Sequence, residues 1–142
     1  MLKQIVWLHN DCLSPTNPAL QAYSDMPAIF VWDEAWLRYE TPSLKRLVFM
    51  YECLLECPVT IRRGDVVKEV LDFAQDQNAQ TIITVESPSP RFSQIVHQLR
   101  QQIDEIRICP ISPFLTTDEQ IDLRRFSRYW RTARRYVFNV TL

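Results

Sequence analysis

Glycine is almost absent from this sequence, in which Gly64 is the single glycine among 142 residues. Phosphate-binding loops need several glycines in a short stretch, because only backbone without Cβ atoms lets several N–H groups approach one anion. The composition therefore excludes both the G-x-G-x-x-G dinucleotide-binding fingerprint and the Walker A loop. It also excludes the G-x-S-x-G turn that carries the nucleophile of many hydrolases.

Long apolar runs and a secretion signal are absent too. No run approaches the roughly 20 apolar residues that a membrane-spanning helix needs. Residues 1–3 lead directly into a strand-like run, and no small-residue cleavage site follows them. We therefore expect a cytoplasmic protein with no signal peptide and no membrane contact.

The chain also lacks a C-x-x-C pair. Its cysteines are scattered, at Cys12, Cys53, Cys57 and Cys109. In an intracellular protein this spacing indicates reduced thiols, with neither a disulfide framework nor a metal site. No other combination of side chains specifies a reaction, so the sequence predicts no catalytic residue.

Short apolar runs alternate with amphipathic segments along the first four fifths of the chain. The runs at 4–8, 28–32, 59–62, 81–85 and 106–109 predict strands, and the segments at 18–24, 42–56, 65–77 and 90–103 predict helices. This alternation predicts an α/β fold, a Rossmann-like doubly wound five-stranded parallel sheet with helices on both faces. Within 42–56, a line of apolar residues at three- and four-residue spacing predicts a stripe that faces the core: Leu44, Leu47, Val48, Tyr51, Leu54 and Leu55.

The C-terminal segment differs in charge from the rest. Residues 1–117 hold 10 Lys/Arg against 14 Asp/Glu, whereas residues 118–142 hold 6 Arg against 3 acids. The residues 117–120 predict a capping box with Thr117 as the N-cap. Apolar residues and arginines then repeat at helical spacing on different faces, which predicts an amphipathic helix. The apolar line is Leu123, Phe126, Trp130, Ala133 and Val137, and the basic line is Arg124, Arg128, Arg131 and Arg135.

These patterns predict an α/β domain over residues 1–115 and a basic amphipathic helix over 116–142 that packs on the same domain. The arginine line has three readings: a solvated face, a face that docks a partner, or a stripe that binds phosphates. Nucleic-acid-binding domains usually have a pI above about 9, whereas this sequence has a pI of about 6.1. The first two readings are therefore favoured over nucleic-acid binding.

Polar residues follow the first predicted strand directly. The apolar run 5–8 stops at His9, Asn10 and Asp11, and the following helix starts with Asn17 as its N-cap and Pro18 at its first position. Ligands of open α/β sheets bind at this carboxyl edge of the strands. Together with Asp33 at the end of the second strand, the three residues form a candidate ligand-binding site. In the alternative reading, Asn10 and Asp11 hydrogen-bond the loop backbone.

The same opening resembles that of the DNA photolyase/cryptochrome family, which reads roughly V-W-F-R-N-D-L-R-L-H-D-N-P-A-L. The pattern is kept at Val6, Trp7, Asn10, Asp11, Asn17, Pro18, Ala19 and Leu20, whereas His9 and Leu13 replace the two arginines of the family. The segment 59–65, V-T-I-R-R-G-D, is similar to the family's L-V-V-R-R-G-D. There Gly64 lets the strand turn sharply and Asp65 caps the next helix. The resemblance covers about residues 4–112.

The resemblance implies the amino-terminal α/β domain of that family, which holds an auxiliary antenna chromophore, a folate or a deazaflavin. The helical domain that binds FAD and repairs DNA is not matched, so we expect no FAD and no photolyase activity from this chain alone. The loss of the two arginines removes donors that could hold a phosphate or a carboxylate.

Three functions follow from this sequence. The first is a stand-alone, non-catalytic accessory or interaction module, whose partner is a separate flavin-domain protein or another protein. The alternative is a small-molecule binder for a nucleotide or a pterin- or deazaflavin-like chromophore. The weaker alternative is nucleic-acid binding through the arginine-rich tail. The sequence predicts no oligomeric state.

Overall fold

A five-stranded parallel sheet forms the core of the fold. The computed structural model describes residues 3–111, 117 and 119–138. The strands are β1 Lys3–Leu8, β2 Ala28–Asp33, β3 Thr60–Gly64, β4 Ala79–Val85 and β5 Glu105–Cys109. They lie in the order β3-β2-β1-β4-β5, and every neighbouring pair is parallel. The predicted Rossmann-like, doubly wound α/β fold is confirmed.

Six helices are present among the described residues: α1 Pro18–Ala22, α2 Glu34–Glu40, α3 Leu44–Leu55, α4 Val66–Asp76, α5 Pro90–Arg100 and α6 Phe126–Val137. The sequence predicted all of them except α2. That helix begins directly after β2, with Asp33 as its N-cap. It has only seven residues, too few for a helical period to stand out from the strand before it.

The two faces of the sheet bury separate sets of side chains, because successive residues of a strand point to opposite sides. On β1, Ile5 and Trp7 pack with the buried residues of α4 and α5. Val6 and Leu8 pack with those of α1 and α3 on the other face. Burial on both faces explains why the strands read as continuous apolar runs rather than as alternating ones.

The predicted start of α1 is confirmed in detail. The side-chain oxygen of Asn17 accepts hydrogen bonds from the backbone N–H groups of Ala19 at 2.8 Å and Leu20 at 3.2 Å. Its amide nitrogen donates to the carbonyl of Cys12 at 3.0 Å. One buried amide therefore caps the helix and also fixes the loop that leads out of β1.

The single glycine lies where its freedom is needed. Gly64 has φ +148, a conformation that side chains with a Cβ atom rarely adopt, and an added Cβ would lie 3.3 Å from Oε1 of Glu69. The next residue, Asp65, accepts a hydrogen bond from the N–H of Lys68 at 2.9 Å and so caps α4. The predicted roles of both residues are confirmed.

The predicted core-facing stripe of α3 is wrong for most of its members. Leu54 is buried, but Leu44 is 77% exposed, Val48 46%, Tyr51 49% and Leu55 64%. The residues of α3 that face the core are Met50 and Leu54. Apolar residues surround most of this helix, so two apolar lines at helical spacing exist and periodicity cannot choose between them.

The chain divides into two compact units, Met1–Ile111 and Ser112–Leu142. The predicted boundary between residues 115 and 116 lies outside the described residues, and the packing of the C-terminal helix on the domain stays a prediction. Among the described residues, we find no helix with the length and apolar character to span a bilayer.

The second unit contains the predicted amphipathic helix, but the predicted start of that helix is wrong. α6 begins at Phe126 rather than after Thr117. Thr117 Oγ1 accepts only a local hydrogen bond, from the N–H of Glu119 at 3.0 Å, and Asp118 lies outside the described residues. Oδ1 of Asp122 accepts from the N–H of Arg124 at 3.0 Å. Such side-chain bonds offer the backbone an alternative to helix.

Candidate functional site

A cleft opens at the carboxyl edge of the sheet, beside the ends of β1 and β2 and the start of α5. β1 lies between β2 and β4 in the strand order, so successive strands run to one side of β1 first and then to the other. Such a topological switch point is where open α/β sheets bind ligands. The cleft is open to solvent, and its enclosed space measures about 100 Å³.

The four candidate residues His9, Asn10, Asp11 and Asp33 all line this cleft. The structure therefore brings together the side chains that the sequence located at two different strand ends. Their hydrogen bonds, however, give them different roles. That any of them binds a ligand stays a prediction.

His9 is a structural residue of the cleft wall. Its Nε2–H donates to the carbonyl of Val85 at 2.6 Å, and its Nδ1 accepts from the N–H of Asp11 at 3.3 Å. We assign this tautomer because the carbonyl can only accept and the amide can only donate. Burial lowers the pKa of His9, outweighing the hydrogen bond to Val85 and the charge of Asp11. A neutral ring with both nitrogens bonded leaves no strong contact for a ligand.

Asp11 holds two loops together. Its Oδ2 accepts a hydrogen bond from the hydroxyl of Ser87, which joins the loop after β1 to the loop after β4. The Asp11 side chain thus bonds another side chain rather than the loop backbone, which the alternative reading had predicted. The side chain of Asn10 makes no hydrogen bond to another described residue, so its amide is available to a molecule in the cleft.

Asp33 is already saturated by protein donors. Its carboxylate accepts from the N–H of Ala35 at 3.1 Å and from Nε and Nη2 of Arg91 at 2.9 and 3.1 Å. The Asp33 side chain is 8% exposed and that of Arg91 39%. The hydrogen bond to Asp33 raises the pKa of Arg91. Asp33 therefore caps α2 and orients Arg91, and it offers little to a ligand directly.

Sequence reasoning missed three further polar or aromatic side chains of the cleft. Trp36 of α2, Arg46 of α3 and Arg91 of α5 all line the cleft. The guanidinium carbon of Arg46 lies 5.2 Å from the centre of the Trp36 ring, within the range of a cation–π contact. The two guanidiniums correct the expectation that the lost family arginines leave the cleft without anion donors.

A signal for two of these residues was present in the sequence. Arg91 is the second residue of a helix that follows a predicted strand, so it belongs at the same sheet edge as Asp11. Trp36 follows the end of a predicted strand by four positions. Arg46 had no such signal, because its place in the cleft depends on how α3 packs beside α2.

The floor of the cleft is aromatic. Trp7 and Phe92 stack with their ring centres 5.7 Å apart, and the ring of His9 contacts both edge-on at 5.8 and 5.0 Å. Ser89 precedes α5 and its hydroxyl makes no capping bond. The cleft therefore combines a buried aromatic base with polar and cationic groups at its rim.

The described residues contain no group of three or more His, Cys, Asp or Glu side chains placed to hold a metal ion. Cys57 is buried two residues past the end of α3, and its thiol donates to the carbonyl of Cys53 at 3.5 Å. Burial raises the pKa of the Cys57 thiol. A thiol of this kind behaves as a small apolar side chain.

The four candidate arginines of the tail are exposed. Arg128, Arg131 and Arg135 lie on α6, and Arg124 precedes that helix. Asp122 forms ion pairs with Arg124 and Arg128, each at 3.1 Å. The N–H of Arg124 and then the two guanidiniums lower the pKa of Asp122. Half of the basic line is thus partly neutralised, and nucleic-acid binding stays a prediction.

No family model matches this sequence, and no curated protein matches it. Solved structures do resemble the fold. A class III photolyase from Agrobacterium tumefaciens superposes with a TM-score of 0.62 at 17% sequence identity, covering 94% of this chain and 32% of the photolyase. The chain thus spans about a third of that protein.

The hypothetical protein MJ0577 superposes with a TM-score of 0.50 at 14% identity, covering 80% of this chain and 99% of the other. A universal stress protein from Archaeoglobus fulgidus, in complex with dAMP, superposes with a TM-score of 0.43 at 9% identity, covering 79% and 98%. The likeness to a photolyase is therefore one of fold, which domains of other descriptions share.

Proposed function

We propose that this α/β domain binds a small, planar, anionic molecule of the nucleotide or pterin class in the cleft at the edge of its sheet. One observation carries the proposal: an indole ring and two guanidinium groups line a single cleft beside the switch point of the sheet. These are Trp36, Arg46 and Arg91. A planar ring and a negative charge are the two features that such a set of side chains recognises.

The aromatic part of the ligand has a place to stack. Nucleobases and related rings stack on aromatic side chains and on guanidinium planes, at about 1–3 kcal/mol per base. Trp36 and Arg46 present both kinds of surface next to each other. A ligand ring that stacks here would lie above the apolar base formed by Trp7 and Phe92.

The anionic part meets positive charge. Arg91 uses Nε and Nη2 to hold Asp33, so its Nη1 is the donor left for a phosphate or carboxylate. Arg46 adds a second guanidinium, and Asn10 and Ser89 add uncharged polar groups. Arginine suits this role because its planar fork of donors matches phosphate and carboxylate oxygens.

The enclosed part of the cleft is small, about 100 Å³ against roughly 300–1,000 Å³ for typical small-molecule sites, so a ligand would lie partly in the solvent-open mouth. A folate or deazaflavin, the chromophores that the sequence resemblance implies, has a planar ring and an anionic tail, so the donor set fits it. These groups absorb above about 350 nm, where protein does not.

The experiment is a titration with folic acid and with AMP, followed by isothermal calorimetry. We expect saturable binding of one of them, weakened about tenfold in Arg46→Met and in Trp36→Ala, since each change removes one contact of about 1–3 kcal/mol. Arg100→Met is the matched control, because this exposed arginine of α5 does not line the cleft. Absence of binding by both ligands, or equal loss in the control, contradicts the proposal.

A second candidate function is the accessory module, a non-catalytic domain that docks on a separate flavin-domain protein or another protein. The observation in its favour is the exposed apolar surface of α3, which includes Phe49 at 65% and Leu55 at 64% exposure. Contiguous apolar patches often mark interaction sites. The test is affinity capture from the native host, with wild type beside Phe49→Glu. A partner held by the wild type alone supports this function, and identical captures oppose it.

A further inference from the structure

Four exposed apolar side chains form a straight line along α3. They are Leu44, Val48, Tyr51 and Leu55, here called the α3 seam, and they are between 46% and 77% exposed. The spacing within the seam is four, three and four residues. At 100° per residue the seam lies about 120° around the helix from the core-facing pair Met50 and Leu54.

The spacing of the seam identifies the kind of surface that fits it. Apolar residues alternating at four and three positions form the a/d pattern by which one helix packs along another. In this pattern Leu44 and Tyr51 take d positions, and Val48 and Leu55 take a positions. A globular partner surface needs no such period, whereas a second helix does.

We propose that the α3 seam packs antiparallel against the α3 seam of a second copy of this chain, so that the protein forms a two-fold dimer. In this arrangement Leu44 lies opposite Leu55 of the partner subunit, and Val48 lies opposite Tyr51 of the partner subunit. The pairing is self-complementary, as an isologous interface requires. It goes beyond the proposed ligand site and does not depend on it.

Charge selects both the second copy and its direction. The exposed residues Lys45 and Glu52 flank the seam on one side, each at an e position. Seven residues separate them, or about 10.5 Å along the helix axis, so they are too far apart to pair with each other within one helix. In an antiparallel helix pair, e positions of the two helices face each other. Lys45 then meets Glu52 of the partner subunit, and this ion pair occurs twice.

The parallel alternative lacks this complementarity. In a parallel pair an e position faces a g position of the other helix, and the g positions of α3 are Leu47 and Leu54. Glu52 and Lys45 would then face leucines. The charges therefore favour the antiparallel copy over the parallel one.

The seam and the ligand cleft lie on different sides of α3. Because the core face lies about 120° from the seam and the e positions face each other across the two-fold axis, the two sheets lie on the same side of the helix pair and diverge from each other. Arg46, which lines the cleft, lies nearly opposite the seam on the helix. Ligand binding and dimer formation therefore use separate sides of α3.

The area of contact sets the expected strength. The side chains of the seam are between 46% and 77% exposed, and the flanking Lys45 and Glu52 are exposed as well. They contribute on the order of 100 Å² each, or roughly 1,000 Å² over both subunits, the lower bound for a specific interface. We therefore expect a weak, concentration-dependent dimer.

The test is sedimentation equilibrium of the full chain at low salt, where exposed ion pairs are least screened. We expect a reversible monomer–dimer equilibrium for the wild type. Lys45→Glu and Glu52→Lys should each raise the dissociation constant about tenfold, because each change replaces two attractions by two repulsions. The double variant Lys45→Glu/Glu52→Lys should restore it. Mixing the two single variants should give a heterodimer.

Two further variants make the result decisive. Val48→Glu should abolish the dimer, since it would place carboxylates in the seam, and this exposed position tolerates the change without unfolding. Arg100→Glu is the control, with the same change of charge on α5. Monomeric wild type at all concentrations overturns the proposal. So do a dimer that survives Val48→Glu and single charge variants that behave like the control.

Discussion

Replacement of Arg91 by methionine tests the ion pair that shapes the cleft. Arg91 lies at the start of α5, and its partner Asp33 lies at the end of β2 and the N-cap of α2. The pair therefore connects three elements around the candidate site. Methionine keeps most of the length and apolar stem of arginine, so the change removes chiefly the guanidinium.

The exposures of the two side chains set the magnitude. Asp33 is 8% exposed and keeps only one donor, the N–H of Ala35 at 3.1 Å, once the guanidinium is gone. Breaking a fully buried pair costs about 3–5 kcal/mol. Arg91 is 39% exposed, and water therefore screens part of the interaction. We expect a loss of about 2 kcal/mol in the free energy of unfolding.

The reverse change should cost less. Asp33→Asn keeps an oxygen that caps α2, and the released guanidinium can be hydrated because it is partly exposed. We expect a loss of about 1 kcal/mol. In the double variant the two losses should not add, and the coupling should be about 1 kcal/mol, because each single change already breaks the pair.

Urea unfolding of the four proteins, monitored by circular dichroism, measures this cycle. The urea concentrations at half-unfolding give the losses in the free energy of unfolding, provided that the dependence of this free energy on urea is the same in all four proteins. Additive losses, within about 0.3–0.5 kcal/mol, would refute the reasoning, since residues that add are not energetically coupled. A larger loss for Asp33→Asn than for Arg91→Met would also contradict it.

Two other predictions concern single residues of the fold. Burial lowers the pKa of His9 below its ordinary value of 6.5, so the unfolded chain takes up a proton first as the pH falls. The stability that the neutral ring contributes is complete above pH 6.5, the ordinary pKa. It is lost as the pH falls through the lower pKa that His9 has in the folded protein. The advantage of wild type over His9→Gln in urea unfolding should therefore shrink between about pH 7.5 and 5, and a constant difference would oppose this. Gly64→Ala should lose about 1–3 kcal/mol, since alanine is strained at this backbone conformation, and an unchanged melting temperature would contradict that account.

The fold was largely readable from the sequence because its signals are local. Continuous apolar runs mark strands buried on both faces. Asn17 and Asp65 mark helix starts because their side-chain oxygens cap backbone N–H groups. Gly64 marks a turn because it has no side chain. At each of these positions the local backbone conformation needs that type of residue, and the structure confirms the prediction.

The orientation of α3 was not readable, because apolar residues lie on more than one side of it. Which line faces the core is decided by the neighbouring elements rather than by the helix itself. The prediction of the start of α6 was wrong for a related reason. The hydroxyl of Thr117 accepts a hydrogen bond from the N–H of Glu119, and α6 begins only at Phe126.

The sequence predicted where the candidate site lies but not which of its side chains are free to contact a ligand. The rule that ligands bind at the carboxyl edge of a sheet located His9, Asn10, Asp11 and Asp33 correctly around one cleft. It could not reveal that the polar side-chain atoms of His9 and Asp33 are already hydrogen-bonded to other residues of the protein. Nor could it find Arg46, whose position depends on tertiary packing.

A titration of ¹⁵N-labelled protein with folic acid and with AMP, followed by NMR, tests the central claim most directly. If the cleft binds a planar anion, the indole N–H of Trp36 and the side-chain amide of Asn10 should shift in a saturable way with one of these ligands. The side-chain amide signal of Asn78, which precedes β4 at the opposite edge of the sheet, is the internal reference and should stay in place. Shifts that never saturate, or that leave Trp36 and Asn10 unchanged, would contradict the account.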